Sequence, residues 1–164
     1  MPALDTVKTL AEILLSKNWK MAAAESCTGG LVCANLTELA GSSEWFERGY
    51  ITYSNEAKEE SLGVPATLIE SFGAVSEQVA KAMAEGAQAN SGVNTAISIT
   101  GIAGPSGGSV DKPVGTVCFG WAIQSDAGEK RVLTKTMYFD GDRQAIREQA
   151  CHYVLSELAK LLKN

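Results

Sequence analysis

Ten residues, Met21-Ala22-Ala23-Ala24-Glu25-Ser26-Cys27-Thr28-Gly29-Gly30, constrain this chain more than any others. A run of small apolar side chains stops abruptly at a hydroxyl, a thiol, a second hydroxyl and two glycines. An amphipathic segment, Leu31 to Leu39, follows at once. Such an order predicts a buried strand, a tight turn and a helix. It sets Ser26 where strand gives way to helix, beside the backbone N–H groups of Thr28, Gly29 and Gly30, which have no intrahelical partner. A nucleophilic hydroxyl next to such donors is one half of an acyl-transfer site.

The rest of the chain alternates in the same manner. Leu4, Val7, Leu10, Ala11, Leu14 and Leu15 form a helical stripe. Trp45 to Ser54 reads as a strand, and Asn55 can cap a short helix through Leu62. Pro65 suits the first position of another helix closed by Gly73, and Ser76 opens one to about Asn90. Strands are expected at Thr95 to Thr100, Gly115 to Gln124 and Arg131 to Phe139, the last two joined by a hairpin at Asp126–Glu129. Asp142 can cap a long final helix, and the helix after the Ser26 turn is expected to end near Gly41. The pattern is that of an α/β protein: a three-layer α/β/α sandwich around a mixed sheet of about five or six strands. A length of 164 residues fits one domain, residues 1–164.

Composition narrows the function classes. The net charge of −5 lacks the basic footprint of a nucleic-acid binder. No apolar run approaches the roughly 18–20 residues that span a bilayer. Met1 to Asp5 lack the basic and apolar regions of a signal peptide. The four cysteines, Cys27, Cys33, Cys118 and Cys151, form no CxxC pair, so they read as reduced thiols in a cytoplasmic protein. His152 is the only histidine, which rules out any scheme needing two; its apolar-patterned helix predicts that it is packed. The three tryptophans, Trp19, Trp45 and Trp121, read as core or interface residues, and apolar strand faces point to a homo-oligomer.

A base for Ser26 must come from elsewhere. With Asn55 as cap, Lys58 falls in the first turn of a helix, where the dipole disfavours a cation. That field and partial burial would lower its pKa and make it a usable general base; Ser–Lys pairs do act as nucleophile and base. Tyr53, just before the turn, can polarise the serine or relay a proton. Spacing alone favours the plainer alternative, a solvated Lys58 paired with Glu56 or Glu59. Thr100-Gly101-Ile102-Ala103-Gly104-Pro105-Ser106-Gly107-Gly108 follows a strand and offers bare N–H groups to an anion, or is a tight surface loop. Arg143 and Arg147, four apart, can clamp a phosphate or carboxylate, or pair with Asp140 or Glu148. Cys27 is a rival nucleophile. Glu25 can orient Lys58, cap a backbone donor or be a plain structural carboxylate.

Six ordered motifs carry a resemblance: Ala24–Gly30, Tyr50–Lys58, Gly73–Ser76, Thr100–Pro105, Lys112–Val117 and Gly141–Arg143. The chain resembles the CinA C-terminal domain family in its stand-alone, PncC type. The resemblance implies an amidohydrolase that converts nicotinamide mononucleotide to nicotinate mononucleotide and ammonia, with no metal or organic cofactor. The family's catalytic serine falls on Ser26, its lysine on Lys58 and its supporting tyrosine on Tyr53. In that scheme Lys58 takes the Ser26 proton and N–H groups of Thr28–Gly30 hold the oxyanion. Thr100, Gly101, Ala103, Gly104 and Arg143 hold the nucleotide. A non-catalytic nucleotide-binding or partner-binding module could keep the same motifs.

Overall fold

The computed structural model describes residues 2–163; Met1 and Asn164, the ends of the expected domain, lie outside them. Five strands form one mixed sheet. β1 (Met21–Glu25) runs parallel to β2 (Phe46–Ile51) on one side and to β3 (Thr95–Gly101), the middle strand, on the other. β4 (Thr116–Gln124) is antiparallel to β3, and β5 (Lys130–Tyr138) is antiparallel to β4. The order across the sheet is β2-β1-β3-β4-β5.

Side-chain alternation along β1 divides the core in two. Met21 and Ala23 join Ile97, Ile99, Phe119 and Trp121 on one face. That face is covered by α1 (Pro2–Lys17), α2 (Leu31–Thr37) and α6 (Arg143–Leu162). Ala22 and Ala24 join Ala96 on the other, beneath α3 (Asn55–Leu62), α4 (Ala66–Phe72) and α5 (Glu77–Ser91). The result is the expected three-layer α/β/α sandwich. Fully buried side chains such as Leu10, Leu14 and Phe119 each contribute roughly 1.5–3 kcal/mol.

The same period of two decides where the chemistry goes. Glu25 follows Met21 and Ala23 toward α2. Ser26 continues the register by one residue, its N–H donating to the Ile99 carbonyl at 3.0 Å, and its side chain follows Ala22 and Ala24 toward α3. The small residues of β1 let the second layer come close. Gly120 is held to a hydrogen atom because a Cβ there would meet the Ala80 carbonyl at 2.6 Å. Gly86 in α5 is held likewise by the Leu62 carbonyl at the end of α3.

Four local expectations shift. The helix after the Ser26 turn ends at Thr37, not near Gly41, because the Thr37 hydroxyl donates back to the Cys33 and Ala34 carbonyls. A 3-10 turn, Ser42–Glu44, follows. The strand expected over Trp45–Ser54 is confined to β2. Trp45 packs into the core, and beyond the Thr52 N–H bond to the Glu25 carbonyl the chain turns its own carbonyls toward Lys58. Asn55 is the first residue of α3, not its cap; the Ser54 hydroxyl accepts from the Ala57 N–H at 3.0 Å. Pro65 occupies the N-cap of α4 rather than its first position. No helix among the described residues is long and apolar enough to cross a membrane.

Gly86→Ala tests the α3–α5 approach. In an exposed helix this change gains up to about 1 kcal/mol. Here the backbone of α3 cannot yield, so unfolding free energy is expected to fall by about 1–3 kcal/mol, read as a lower urea midpoint at unchanged m-value.

Candidate active site

Lys58 is the fourth residue of α3 and its side chain doubles back past the helix start. Only 1% of it is exposed. Nζ lies 2.9 Å from the Ser26 Oγ, 2.9 Å from the Thr52 carbonyl, 3.1 Å from the Tyr53 carbonyl and 3.5 Å from that of Ser54. Among the described residues no carboxylate pairs with it. Burial lowers its pKa from the usual 10.5, opposed in part by Cys27. The cause is therefore desolvation. Nζ donates to the Ser26 Oγ and to the Thr52 and Tyr53 carbonyls; an amine that loses a proton keeps two N–H groups for the carbonyls and has a lone pair left for the Ser26 hydroxyl. Ser26 Oγ has one further acceptor, the Tyr53 carbonyl at 3.4 Å.

The turn beside Ser26 is held from within. Glu25 is fully buried. Its Oε1 accepts from the N–H groups of Gly30 and Val32, both at 3.0 Å, and its Oε2 from that of Cys33 at 2.9 Å. The Gly29 N–H donates to the Ser26 carbonyl at 3.0 Å. Gly29 and Gly30 therefore do not present free donors as the sequence reading expects; their N–H groups are already committed, and their positive φ angles, 57° and 107°, shape the turn instead. The N–H groups of Cys27 and Thr28 donate to no other residue among those described. Thr28 Oγ1 is buried without a partner. Burial pushes the Cys27 thiol up to about 11, so it stays protonated near neutral pH and is a poor rival to Ser26. His152 is exposed, contrary to the packed position expected of it, because it falls on the outer side of α6.

A cavity of about 210 Å³ opens over this pair, lined in part by Ser26, Lys58, Thr100, Gly101, Ala103 and Arg143. Thr100 is buried and its hydroxyl donates to the Ala74 carbonyl at 2.9 Å. Gly101 has no room for a Cβ against β4. Tyr53 is 62% exposed. Its carbonyl, not its phenol, serves Ser26 and Lys58. The phenol oxygen instead accepts from Arg143 Nη2 at 3.2 Å, while Arg143 Nη1 donates to the Gly104 carbonyl at 2.7 Å. Arg143 thus ties the glycine-rich loop to Tyr53 beside the cavity. Arg147 donates through Nε to the Cys27 carbonyl at 3.1 Å and through Nη2 to the Thr28 carbonyl at 2.9 Å. Neither arginine pairs with Asp140 or Glu148.

The model of the CinA C-terminal domain matches residues 4–162. This chain belongs to the CinA C-terminal domain family. Nicotinamide-nucleotide amidohydrolase PncC of Enterobacter agglomerans is 51% identical over 152 residues, covering 92% of this chain and 90% of that protein. PncC of Pseudomonas putida is 46% identical over 162 residues, covering 96% and 98%. Among solved structures, the competence/damage inducible protein CihA from Agrobacterium tumefaciens superposes with a TM-score of 0.92 at 39% identity, covering 100% of this chain and 97% of that one.

For this CinA-family chain, sequence reasoning brought Ser26, Lys58, Tyr53, Thr100, Gly101, Ala103 and Arg143 to one cavity, and the fold places them there. It missed the carbonyls of Thr52 and Ser54, Ala74 and Val75 in the wall, and the grip of Arg147 on the turn. Gly73-Ala74-Val75-Ser76 was visible as a motif, but a carbonyl cage leaves no side-chain signature.

The depressed Lys58 pKa makes stability pH-dependent. Between the lowered folded value and 10.5 the unfolded chain binds more protons, so this lysine's contribution to stability rises with pH. The melting temperature of the wild type relative to Lys58→Met is expected to increase as pH rises through that window, measured by paired thermal scans.

Proposed function

We propose that this chain is a nicotinamide-nucleotide amidohydrolase, releasing ammonia and nicotinate mononucleotide from nicotinamide mononucleotide, with Ser26 as nucleophile and Lys58 as its base. The substrate class is taken from the PncC relatives, which match nearly the whole chain at 46–51% identity. The mechanism rests on one observation: a buried lysine with no carboxylate partner, 2.9 Å from a serine hydroxyl at the end of a central strand.

In this reading neutral Lys58 accepts the Ser26 proton as Oγ attacks the carboxamide carbon. The ammonium so formed is caged by the Thr52, Tyr53 and Ser54 carbonyls. The N–H groups of Cys27 and Thr28, which donate to no other described residue, are the available donors for the oxyanion, in place of those of Gly29 and Gly30. When the tetrahedral centre collapses, the C–N bond breaks and the departing nitrogen takes the proton from Lys58. Water then enters, gives a proton to Lys58, and its oxygen attacks the acyl carbon; collapse returns the proton to Ser26 Oγ and frees the acid.

A cavity of about 210 Å³ is smaller than the roughly 300–1,000 Å³ of a site that encloses a whole drug-sized ligand. It suits one ring and its carboxamide, with the ribose phosphate outside. The guanidinium of Arg143 has five N–H donors, of which the Gly104 carbonyl and the Tyr53 phenol take one each. The remainder are available to the phosphate, a cation–anion pairing that the net charge of −5 makes locally distinctive.

Ser26→Ala is expected to cut ammonia release by about 10⁴-fold or more while nicotinamide mononucleotide still binds in a calorimetric titration. Wild-type turnover in that variant would refute the nucleophile. A wild-type protein that binds the nucleotide and releases no ammonia would instead be a binding module. For the active enzyme, kcat/KM should climb with pH along a limb set by Lys58, positioned below the ordinary lysine value.

A further inference from the structure

Resting on the Ser26–Lys58 reading, we propose that Arg147 is a positioning residue that orients the oxyanion donors from the far side of the Ser26 turn. The turn comprises three consecutive peptide units, and each is fixed through its carbonyl. Arg147 Nε holds the Cys27 carbonyl at 3.1 Å and Nη2 holds the Thr28 carbonyl at 2.9 Å. The third unit is held by the Gly29 N–H on the Ser26 carbonyl at 3.0 Å.

A trans peptide places its N–H opposite its C=O. Gripping the Cys27 carbonyl therefore aims the Thr28 N–H away from Arg147. Gripping the Thr28 carbonyl aims the Gly29 N–H, which in turn anchors the Ser26 carbonyl. That anchor aims the Cys27 N–H in its turn. One guanidinium thus aims the Thr28 N–H through the Cys27 carbonyl and, together with the Leu31 N–H on the Thr28 carbonyl, helps aim the Cys27 N–H, without touching either.

The Thr28 carbonyl also accepts from the Leu31 N–H at 3.0 Å, whereas Arg147 alone among the described residues donates to the Cys27 carbonyl. Arg147 makes no ion pair among the described residues, so its charge is not neutralised there by a carboxylate. The charge bears on the turn, as its lowering effect on the Cys27 thiol shows within a net upward shift. A carbonyl that accepts from a cation polarises the N–H of the same peptide, which strengthens that donor. Gly29 lies against the same side chain: a Cβ built there would stand 3.7 Å from Arg147 Nη2. The guanidinium and the bare glycine backbone pack as a unit. A planar fork reaches both carbonyls, whereas a lysine offers a single point charge.

The test is steady-state ammonia release by the full chain with nicotinamide mononucleotide, comparing wild type, Arg147→Met, Arg147→Lys and Ser26→Ala. Arg147→Met is expected to lower kcat by about 10–100-fold with KM changed less than about threefold, because the donors act on the transition state. Arg147→Lys is expected to restore part of that loss, and it serves alone if the methionine variant fails to fold by circular dichroism. Wild-type kcat in either variant, or a loss confined to KM, overturns the inference. Full turnover by Ser26→Ala would instead overturn the nucleophile reading on which it rests. An inactive Ser26→Ala beside a fully active Arg147→Met would sink the Arg147 role alone.

Discussion

A single buried carboxylate organises the centre of this molecule. Glu25 closes β1 and places its two oxygens against three N–H groups at the start of α2. Bonds of this kind, to an ionised acceptor, contribute roughly 1.5–3 kcal/mol each. They join strand to helix with no long connection and satisfy donors that a buried helix end cannot leave unpaired. Because Glu25 takes one side of the sheet, Ser26 must take the other. The position of Ser26 is therefore a consequence of a cap on the opposite side of the sheet.

The two buried ionisable groups of the site are managed in opposite ways. Glu25 has N–H donors for its charge and the positive end of α2 beside it. Lys58 has carbonyls but no carboxylate, and burial holds its pKa down. A carboxylate near Nζ would stabilise the ammonium and remove the lone pair that a base needs. The cage of Thr52, Tyr53 and Ser54 carbonyls accepts from the amine without supplying a full negative charge. Main-chain oxygens are the compromise between an orphaned amine and a locked ion pair.

Much of this was legible in the residues. The abrupt end of the alanine run fixed the strand-to-turn boundary, and its period of two separated Glu25 from Ser26. The lowered pKa of Lys58 was legible from its place in a helix start, although Ser54 rather than Asn55 caps α3, and of the two causes expected, helix field and burial, burial is the one that acts. Tyr53 was recognised for its phenol, yet its peptide oxygen faces the reacting pair. Arg147 was expected to clamp an anion or pair with Asp140 or Glu148; its actual partners are carbonyls 119 and 120 residues away, which spacing does not reveal. Periodicity reports which face a side chain occupies. It is silent on which backbone oxygen lies beyond that face.

The arginine grip also imposes an order in time. Ser26 and Lys58 lie within the first 58 residues, and the helix that braces their turn is the last element described. A ribosome therefore exposes Ser26 and Lys58 well before the guanidinium that holds the turn has been synthesised. Until α6 folds back onto the sheet, the growing polypeptide holds an unbraced pair. The docking of α6 thus separates the synthesis of Ser26 and Lys58 from the moment their turn is fixed in place.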